Sequence, residues 1–454
     1  MSSFAGLRAA KASKQHTRSF VKPPTDAPPD DSPGSKPDAS LEAYDGLPPS
    51  LSIRRSPDRG RGVYATQPLT RGATVVTVPP HVHALSTSRL SEYCSSCAAQ
   101  RAELKRCTRC KLVWYCNASC QNNDWALHKH ECPALIRWAA DDPVPSDAVR
   151  CLGRMLWAIA ANGLQSLFTR QLASMQSSRP VAQAPTHTHL AHALVRFMGI
   201  SGPEQLLKYG VQGAGGVADV IARFTTNAIT LSSPTLTPLG VLLSPLAALF
   251  NHSCDPSAVI VFPSFHSSAD LKLRVICMRD IEPGEEIFTS YIDITLPTPL
   301  RQQSLLETYD FRCSCSLCTT QGVDPREAVM CPRNGCGGIW RVPPESDANS
   351  SNEVKTEEIL ECTNQHPIPP STVTEVQDAV RVGSEGLKEA ERVQDSDPTR
   401  AHRLTSNLTA HLTALSLPPS THPLLALLRL HAHLSLPSLT STLSSLPSLG
   451  RNMP

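Results

Sequence analysis

The chain has 454 residues and a formal charge of +2, from 42 lysines and arginines against 40 aspartates and glutamates, so no global field recruits nucleic acid or an anionic membrane. Sixteen cysteines are bunched in C-x2-C and C-x-C pairs and no hydrophobic signal peptide opens the chain, which points to metal thiolates in a reducing compartment and away from a disulfide framework. Apolar runs such as 241–250 fall far short of the ~18 residues needed to span a bilayer, and the expectation is a soluble, cytoplasmic or nuclear protein of roughly two to four domains.

Forty prolines, against a usual ~5% of residues, predict long irregular stretches. Residues 1–48 carry Pro-Pro repeats and few large apolar groups, and they read as a disordered Pro-rich arm. Arg8, Lys11, Lys14 and Arg18 precede the first acid, Asp26, and read as a solvated basic tail. From Leu51 to Val78 the pattern turns to short β-rich runs, with Val75, Val76 and Val78 in a strand ending at Pro79. Gly60 and Gly62 would let backbone amides approach a ligand, although Gly-Arg-Gly is also an ordinary hairpin turn.

Residues 94–132 carry the most specific local signal: Cys94-x2-Cys97, Cys107-x2-Cys110, Cys116-x3-Cys120 and His128-x3-Cys132. Eight soft ligands suit two closed tetrahedral zinc sites, structural and not catalytic. The segment has too little apolar surface to fold alone, so metal binding supplies its folding energy. Its few basic residues argue against sequence-specific nucleic-acid binding. Residues 133–250 read mostly as helix, with Leu152, Met155, Leu156 and Ile159 on one face and a second helix over 190–198. His187, His189 and His192 have no nearby cysteine or acid and read as loop and helix-surface residues. Gly213-x-Gly215-x2-Ala218 lacks both the preceding strand and the later acid of a dinucleotide fingerprint.

After the apolar run 246–250, Asn251 and His252 offer polar groups in a tight, proline-terminated turn. Cys254 in that turn is the fourth thiolate that the downstream Cys313, Cys315 and Cys318 lack for a closed zinc site. Strands are predicted over 258–262 and 271–277, a turn over 280–284, and a short helix over 305–309. Cys331, Cys336, Cys362 and His366 could assemble a fourth zinc site within 321–372, though the polar gap between Cys336 and Cys362 counts against it, and 343–358 reads as a flexible insert. Residues 373–454 form a helical region, in which the stripes Leu404, Leu408, Leu412, Leu415 and Leu424, Leu427, Leu428 fit two antiparallel helices.

Asn251-His252-Ser253-Cys254-Asp255-Pro256 resembles the signature of SET-domain lysine methyltransferases. Gly60-Arg61-Gly62-Val63-Tyr64-Ala65 and Gly284-Glu285-Glu286-Ile287-Phe288-Thr289-Ser290-Tyr291 resemble that family's other core motifs, in the right order. The cysteine cluster between them, with Trp114-Tyr115-Cys116 and His128-Lys129, looks like a MYND finger and narrows the resemblance to the SET and MYND (SMYD) branch, over roughly residues 50 to 320. It implies an α+β chain: a SET-type β-rich fold over 49–292 with an inserted MYND finger (94–132) and helical insert (133–250), a post-SET zinc segment (293–320) and a C-terminal α-helical region.

The activity so implied is S-adenosylmethionine-dependent protein lysine N-methylation, with Tyr291 aligning the amine and the methyl. Gly60, Arg61, Gly62, Asn227, Asn251, His252, Tyr291 and Phe311 would contact the donor. In a MYND finger the ligand pairs interleave, so that one zinc takes Cys94, Cys97, Cys116 and Cys120, and the other Cys107, Cys110, His128 and Cys132, with His128 chosen over His130 by the His-Lys-x2-Cys ending. The finger would also recruit proline-rich partners. Ser257 and Ala248 depart from the family's usual residues and put donor affinity in doubt more than activity. The rival reading is an inactive SET-MYND scaffold acting as an interaction or transcription-regulatory adaptor.

Overall fold

A computed structural model describes Tyr44 and residues 47–101, 103–139, 144–180, 183–233, 237–263, 270–319, 322–343, 360–394 and 396–444. The N-terminal arm expected over 1–48 and the insert expected over 343–358 lie almost wholly outside the described residues. Two compact units emerge: Met1–Ser290 with Leu306–Phe311, and Tyr291–Leu305 with Arg312–Pro454. Among the described residues no helix is long and apolar enough to cross a membrane.

The first unit mixes short strands with helices, in the α+β class. In chain order it runs β1 (Leu51–Ser56), β2 (Gly60–Ala65), β3 (Thr74–Val78), β4 (Val82–Leu85), β5 (Lys105–Arg106), β6 (Trp114–Tyr115), α1 (Ala118–Ala139), α2 (Asp147–Asn162), α3 (Leu167–Ser174), α4 (Ala184–Met198), α5 (Gly213–Asn227), β7 (Ile229–Ser232), β8 (Pro238–Leu243), β9 (Ala258–Val261) and β10 (Leu273–Cys277). Three small antiparallel sheets result, β1-β2, β3-β10-β9 and β4-β8-β7, beside the short β5-β6 pair. Gly60-Arg-Gly is therefore the start of strand β2 and not a turn, with Ser56 opposite Gly60 and Arg54 opposite Gly62.

Helix α2 is the hub of this unit. Ser146 caps it by accepting from the Val149 amide, and every residue from Asp147 to Ile159 is buried. A helix buried on all sides must be surrounded by other elements, and α2 packs against β4, β8, α1, α3 and α4. The helical reading of 133–250 ends at Asn227, because β7 and β8 follow. In β8, Leu239, Val241, Leu242 and Leu243 are all fully buried. A strand buried on both faces loses the alternation that marks strands in sequence, so its apolar run reads like a helix core.

In the second unit, α6 (Thr298–Tyr309, divided between the units after Leu305), α7 (Ser316–Thr319), the hairpin β11 (Ala328–Met330) with β12 (Ile339–Arg341), and the helices α8 (Pro370–Val393), α9 (Pro398–Ala414) and α10 (Leu424–Ser444) follow. Leu408, Leu412 and Leu424 join Val376, Leu387, Val329 and Trp340 in one hydrophobic cluster. The two leucine stripes thus fall on α9, with Leu415 just past its end, and on α10, and a third helix, α8, precedes them.

Pairing of β4 with β8 brings Leu85 opposite Gly240, and a Cβ on Gly240 would lie 2.1 Å from the Ala84 carbonyl oxygen and 2.7 Å from the Leu85 Cα. Backbone atoms in a sheet cannot step aside as a flexible side chain can. Gly240→Ala is expected to destabilise the first unit by about 1–3 kcal/mol, read as a lower urea midpoint by circular dichroism; an unchanged midpoint would refute the close approach.

Candidate active site and metal centres

The three motif segments meet around residues 284–289. On one side this segment pairs with β2: Gly284 donates to the Ala65 carbonyl at 2.7 Å, Ala65 to Glu285 at 3.0 Å, and Ile287 to Val63 at 2.8 Å. On the other it pairs with the Asn251–Ser257 turn: Thr289 donates to the Asn251 carbonyl at 2.9 Å, Ser253 to Thr289 at 3.0 Å, and Ala258 to Phe288 at 2.9 Å. Ser257 is fully buried and its hydroxyl accepts from the Phe288 amide at 2.9 Å, which gives this departure from the family pattern a structural use.

Asn251 fastens the junction. Its Nδ2 donates to the Arg61 carbonyl at 3.0 Å and to Glu286 Oε1 at 2.8 Å. These side chains lie directly against Gly62, where a Cβ would sit 2.2 Å from Glu286 Oε1 and 3.0 Å from Asn251 Nδ2. Gly62 therefore admits a carboxylate and an amide from two other segments, whereas the sequence suggested only room for a ligand. Glu286 went unassigned in the sequence, although with Ile287 in the core, strand alternation puts Glu286 and Phe288 together on the other face. There Arg59 Nη1 meets Glu286 Oε2 at 3.4 Å and its guanidinium lies 5.1 Å from the Phe288 ring centroid.

The other expected donor contacts are distributed around this junction. His252 is buried, with Nε2 3.3 Å from Cys254 Sγ and its ring 6.0 Å from that of the half-buried Phe311. Asn227 ends α5 and commits its Nδ2 to the Gln176 and Arg223 carbonyls, both at 2.7 Å. Arg61 reaches the Ser174 carbonyl. Gly60 opens β2 in the left-handed region. Tyr291 is half-buried at a bend, two residues beyond Thr289 and the first residue of the second unit.

Two four-ligand groups of cysteine and histidine form within 94–132, beside a smaller group of Asp124, His128 and Glu131 that shares His128. The ligand atoms of Cys94, Cys97, Cys116 and Cys120 lie within 4.8 Å of one another, as do those of Cys107, Cys110, His128 and Cys132. His130 stays out, stacking near Trp157 at 6.1 Å. His187 lies on α4 and bonds Thr225, and neither it nor His189 nor His192 joins a metal-ligand group among the described residues. In the second unit, the Sγ atoms of Cys313, Cys315 and Cys318 lie within 4.8 Å of one another. Gln302 braces Cys313 through both its amide and its carbonyl. The fully buried Arg301, paired with Asp324 at 3.2 Å, sets Nη2 3.8 Å from Cys318 Sγ.

Behind the second ligand group of 94–132 lies a buried charge network that sequence reading missed. His128 Nε2 faces Cys107 at 3.4 Å and Cys110 at 3.7 Å, while its Nδ1 lies 3.3 Å from Glu131. Glu131 also accepts from Arg150 at 2.9 Å and from Arg154 at 2.6 Å, Arg154 pairs with Asp124, and Tyr115 donates to Asp124 at 2.8 Å. Burial pushes the Glu131 carboxyl up, but the Arg150 and Arg154 guanidiniums and His128 outweigh it and hold the group well below the usual carboxylate range. A carboxylate on Nδ1 presents Nε2 to a metal. The two arginines come from α2, so this network ties residues 94–132 to the hub helix.

The SET domain family model matches residues 60–292. The chain belongs to the SET-domain family. Residues 60–292 include β2, the Asn251 turn and Tyr291, so the junction described above is the SET domain's own. Among curated proteins, the N-lysine methyltransferase SMYD2-A of Xenopus laevis is 30% identical over 62% of this chain and 63% of its own length. SMYD2 of Homo sapiens is 28% identical over 59% and 60%, and SMYD2 of Gallus gallus 28% over 72% of each. The chain thus spans about three-fifths of the length of the first of these relatives. A solved SET domain of LSMT, bound to lysine and AdoHcy, aligns over 91% of this chain and 95% of that one at 9% identity and a TM-score of 0.36, a likeness too low to bear on the fold.

Glu131→Ala would remove the carboxylate paired with the buried Arg150 and leave Arg154 with Asp124, an expected loss of about 3–5 kcal/mol, and would free the His128 ring, with metal affinity at that site falling about 10–100-fold. Zinc transfer to a chromophoric chelator, measured beside the thermal midpoint, checks both; transfer at the wild-type rate would show that Glu131 does not hold His128.

Proposed function

We propose that this chain is an S-adenosylmethionine-dependent protein lysine N-methyltransferase. The observation that carries the reading is the junction at Gly62, where β2, the Asn251 turn and the segment leading into Tyr291 interlock. The SMYD2 relatives, named as N-lysine methyltransferases, support it.

The residues suit the donor. Asn227 and Asn251 commit their N–H groups to protein acceptors, so each presents Oδ1 as an acceptor for the donor's ammonium group. Phe311, half-buried near His252, offers a ring face for the adenine, and Gly60, Arg61 and Gly62 supply backbone groups along β2. When bound, S-adenosylmethionine supplies an electrophilic methyl on a positively charged sulfur.

The substrate lysine must react as a neutral amine. With a reference pKa near 10.4, that costs about 4–5 kcal/mol near pH 7; an apolar channel and a nearby positive charge lower the cost by disfavouring the ammonium. No strong general base is then required of the protein once the proton has left to solvent. Tyr291 aligns the nitrogen with the methyl through its hydroxyl, an orientation effect.

Three structural zinc ions complete the proposal. Two belong to residues 94–132, read as a MYND finger that recruits proline-rich protein partners. The third uses Cys313, Cys315 and Cys318, with Cys254 as the fourth ligand, because three thiolates leave a closed tetrahedral site one short. Cytoplasm and nucleus are the proposed compartments, and a lysine-bearing protein the substrate.

Incubated with isotope-labelled donor and cell extract, the wild-type protein is expected to label proteins and Tyr291→Phe to do so about 10- to 100-fold more slowly, a loss of about 1.4–2.7 kcal/mol of transition-state alignment. Equal labelling would overturn the role of Tyr291. Absence of donor binding by calorimetry would overturn the enzymatic reading and favour the adaptor.

A further inference from the structure

The second unit carries a ligand cluster that methyl transfer does not use. The ligand atoms of Cys331, Cys336, Cys362 and His366 lie within 4.8 Å of one another. Two short loops build it. In the first, between β11 and β12, the Cys331 amide donates to the Gly338 carbonyl at 2.8 Å and Cys336 to Arg333 at 3.1 Å. In the second, the Cys362 amide donates to His366 at 3.0 Å and Gln365 to Cys362 at 2.8 Å. Thr363 donates its amide to the Ile339 carbonyl at 2.8 Å and accepts from the Ile339 amide at 3.1 Å, while Asn364 reaches the Cys336 carbonyl at 2.7 Å. The loops are thus sewn together although 25 residues separate Cys336 from Cys362.

Distances within the cluster distinguish its uses. Cys336 and Cys362 place their sulfurs 3.7 Å apart, far beyond the ~2.05 Å of a disulfide. A tetrahedral zinc with bonds of ~2.3 Å to sulfur and ~2.0–2.1 Å to nitrogen has S···S edges of about 3.8 Å and S···N edges of about 3.5 Å. His366 Nδ1 lies 3.0 Å from Cys336 and 3.7 Å from Cys362, values that bracket the second edge. Donors also converge on the sulfurs: the Gly338 amide and Asn364 Nδ2 on Cys336 at 3.4 and 3.5 Å, and the His366 amide on Cys362 at 3.4 Å. N–H groups aimed at sulfur favour the thiolate, the form that binds metal.

We propose that Cys331, Cys336, Cys362 and His366 hold a structural zinc ion, separate from the two sites in 94–132 and from the thiolates at 313–318. Four protein ligands close the coordination sphere, so the site has no position for a metal-bound water or a substrate. Its role is to join the hairpin to the segment entering α8. Val329 and Trp340 on the hairpin, Cys362 itself and Ile368 belong to the same hydrophobic cluster as Val376 of α8, Leu412 of α9 and Leu424 of α10, so the ion supports the floor on which the helices pack. This proposal does not rest on the methyltransferase reading.

The full chain, purified and freed of loose metal, is assayed for zinc by mass spectrometry. Cys336→Ser combined with Cys362→Ser is expected to carry one zinc fewer than wild type, His366→Ala likewise, and His366→Cys, which keeps four ligands, is expected to retain the wild-type content. Cobalt(II) loading gives a second readout that needs no disruptive variant, because His366→Cys adds a thiolate and must strengthen sulfur-to-cobalt charge transfer. Wild-type zinc content in the double variant and in His366→Ala, or an unaltered cobalt spectrum in His366→Cys, would overturn the site whether or not methyl transfer is observed.

Discussion

The SET domain depends on one strand-like segment having partners on both sides. Residues 284–289 pair with β2 on one side and with the Asn251–Ser257 turn on the other, so neither neighbour can shift without leaving buried backbone groups unpaired. Gly62 sets how close they come. Because it has no side chain, Glu286 and Asn251 close over β2 and bond each other there. Tyr291 follows two residues after Thr289 in the chain and opens the second unit.

A second constraint comes from charges that cannot be near water. Arg150, Arg154, Glu131, Asp124 and His128 are all buried, and each would be costly alone. Their grouping makes the burial tolerable, and its placement has a consequence for the metal segment. The cysteine-rich segment 94–132 has only the short strands β5 and β6 before α1, but through Glu131 it is bound to α2, the most enclosed helix of the unit. His128, a candidate metal ligand, and the packing of the hub helix are therefore coupled through the Glu131 carboxylate.

Both units use the same economy with different means. In the first, apolar burial around α2 and β8 surrounds the site. In the second, the hydrophobic cluster is smaller and includes Cys362, a candidate metal ligand. Where a domain is too small to be held by apolar area alone, a cross-link by metal limits the entropy of the unfolded chain.

Elements with a strong local period could be read directly from the residues: the helix through Leu152 and Ile159, the Val75–Val78 strand, the leucine stripes of α9 and α10, and the cysteine pairs, whose spacing expresses the geometry of a single loop around a metal. The motif order that marks a SET domain was likewise visible, since those residues answer to chemistry that is nearly the same wherever it occurs. Features made by nonlocal contact were hidden. The β8 run, buried on both faces, carries no alternation; Gly62 looks like any turn glycine until Asn251 and Glu286 arrive; Glu131 and Arg154 look like ordinary helix-surface charges; and the bonds between the Cys336 and Cys362 loops cross a gap over which sequence spacing says nothing. Composition and spacing determine which ligands and strands exist, because they act over a few residues. Only the tertiary fold decides which of them face one another, because that choice is made by burial and backbone pairing between segments far apart in the chain.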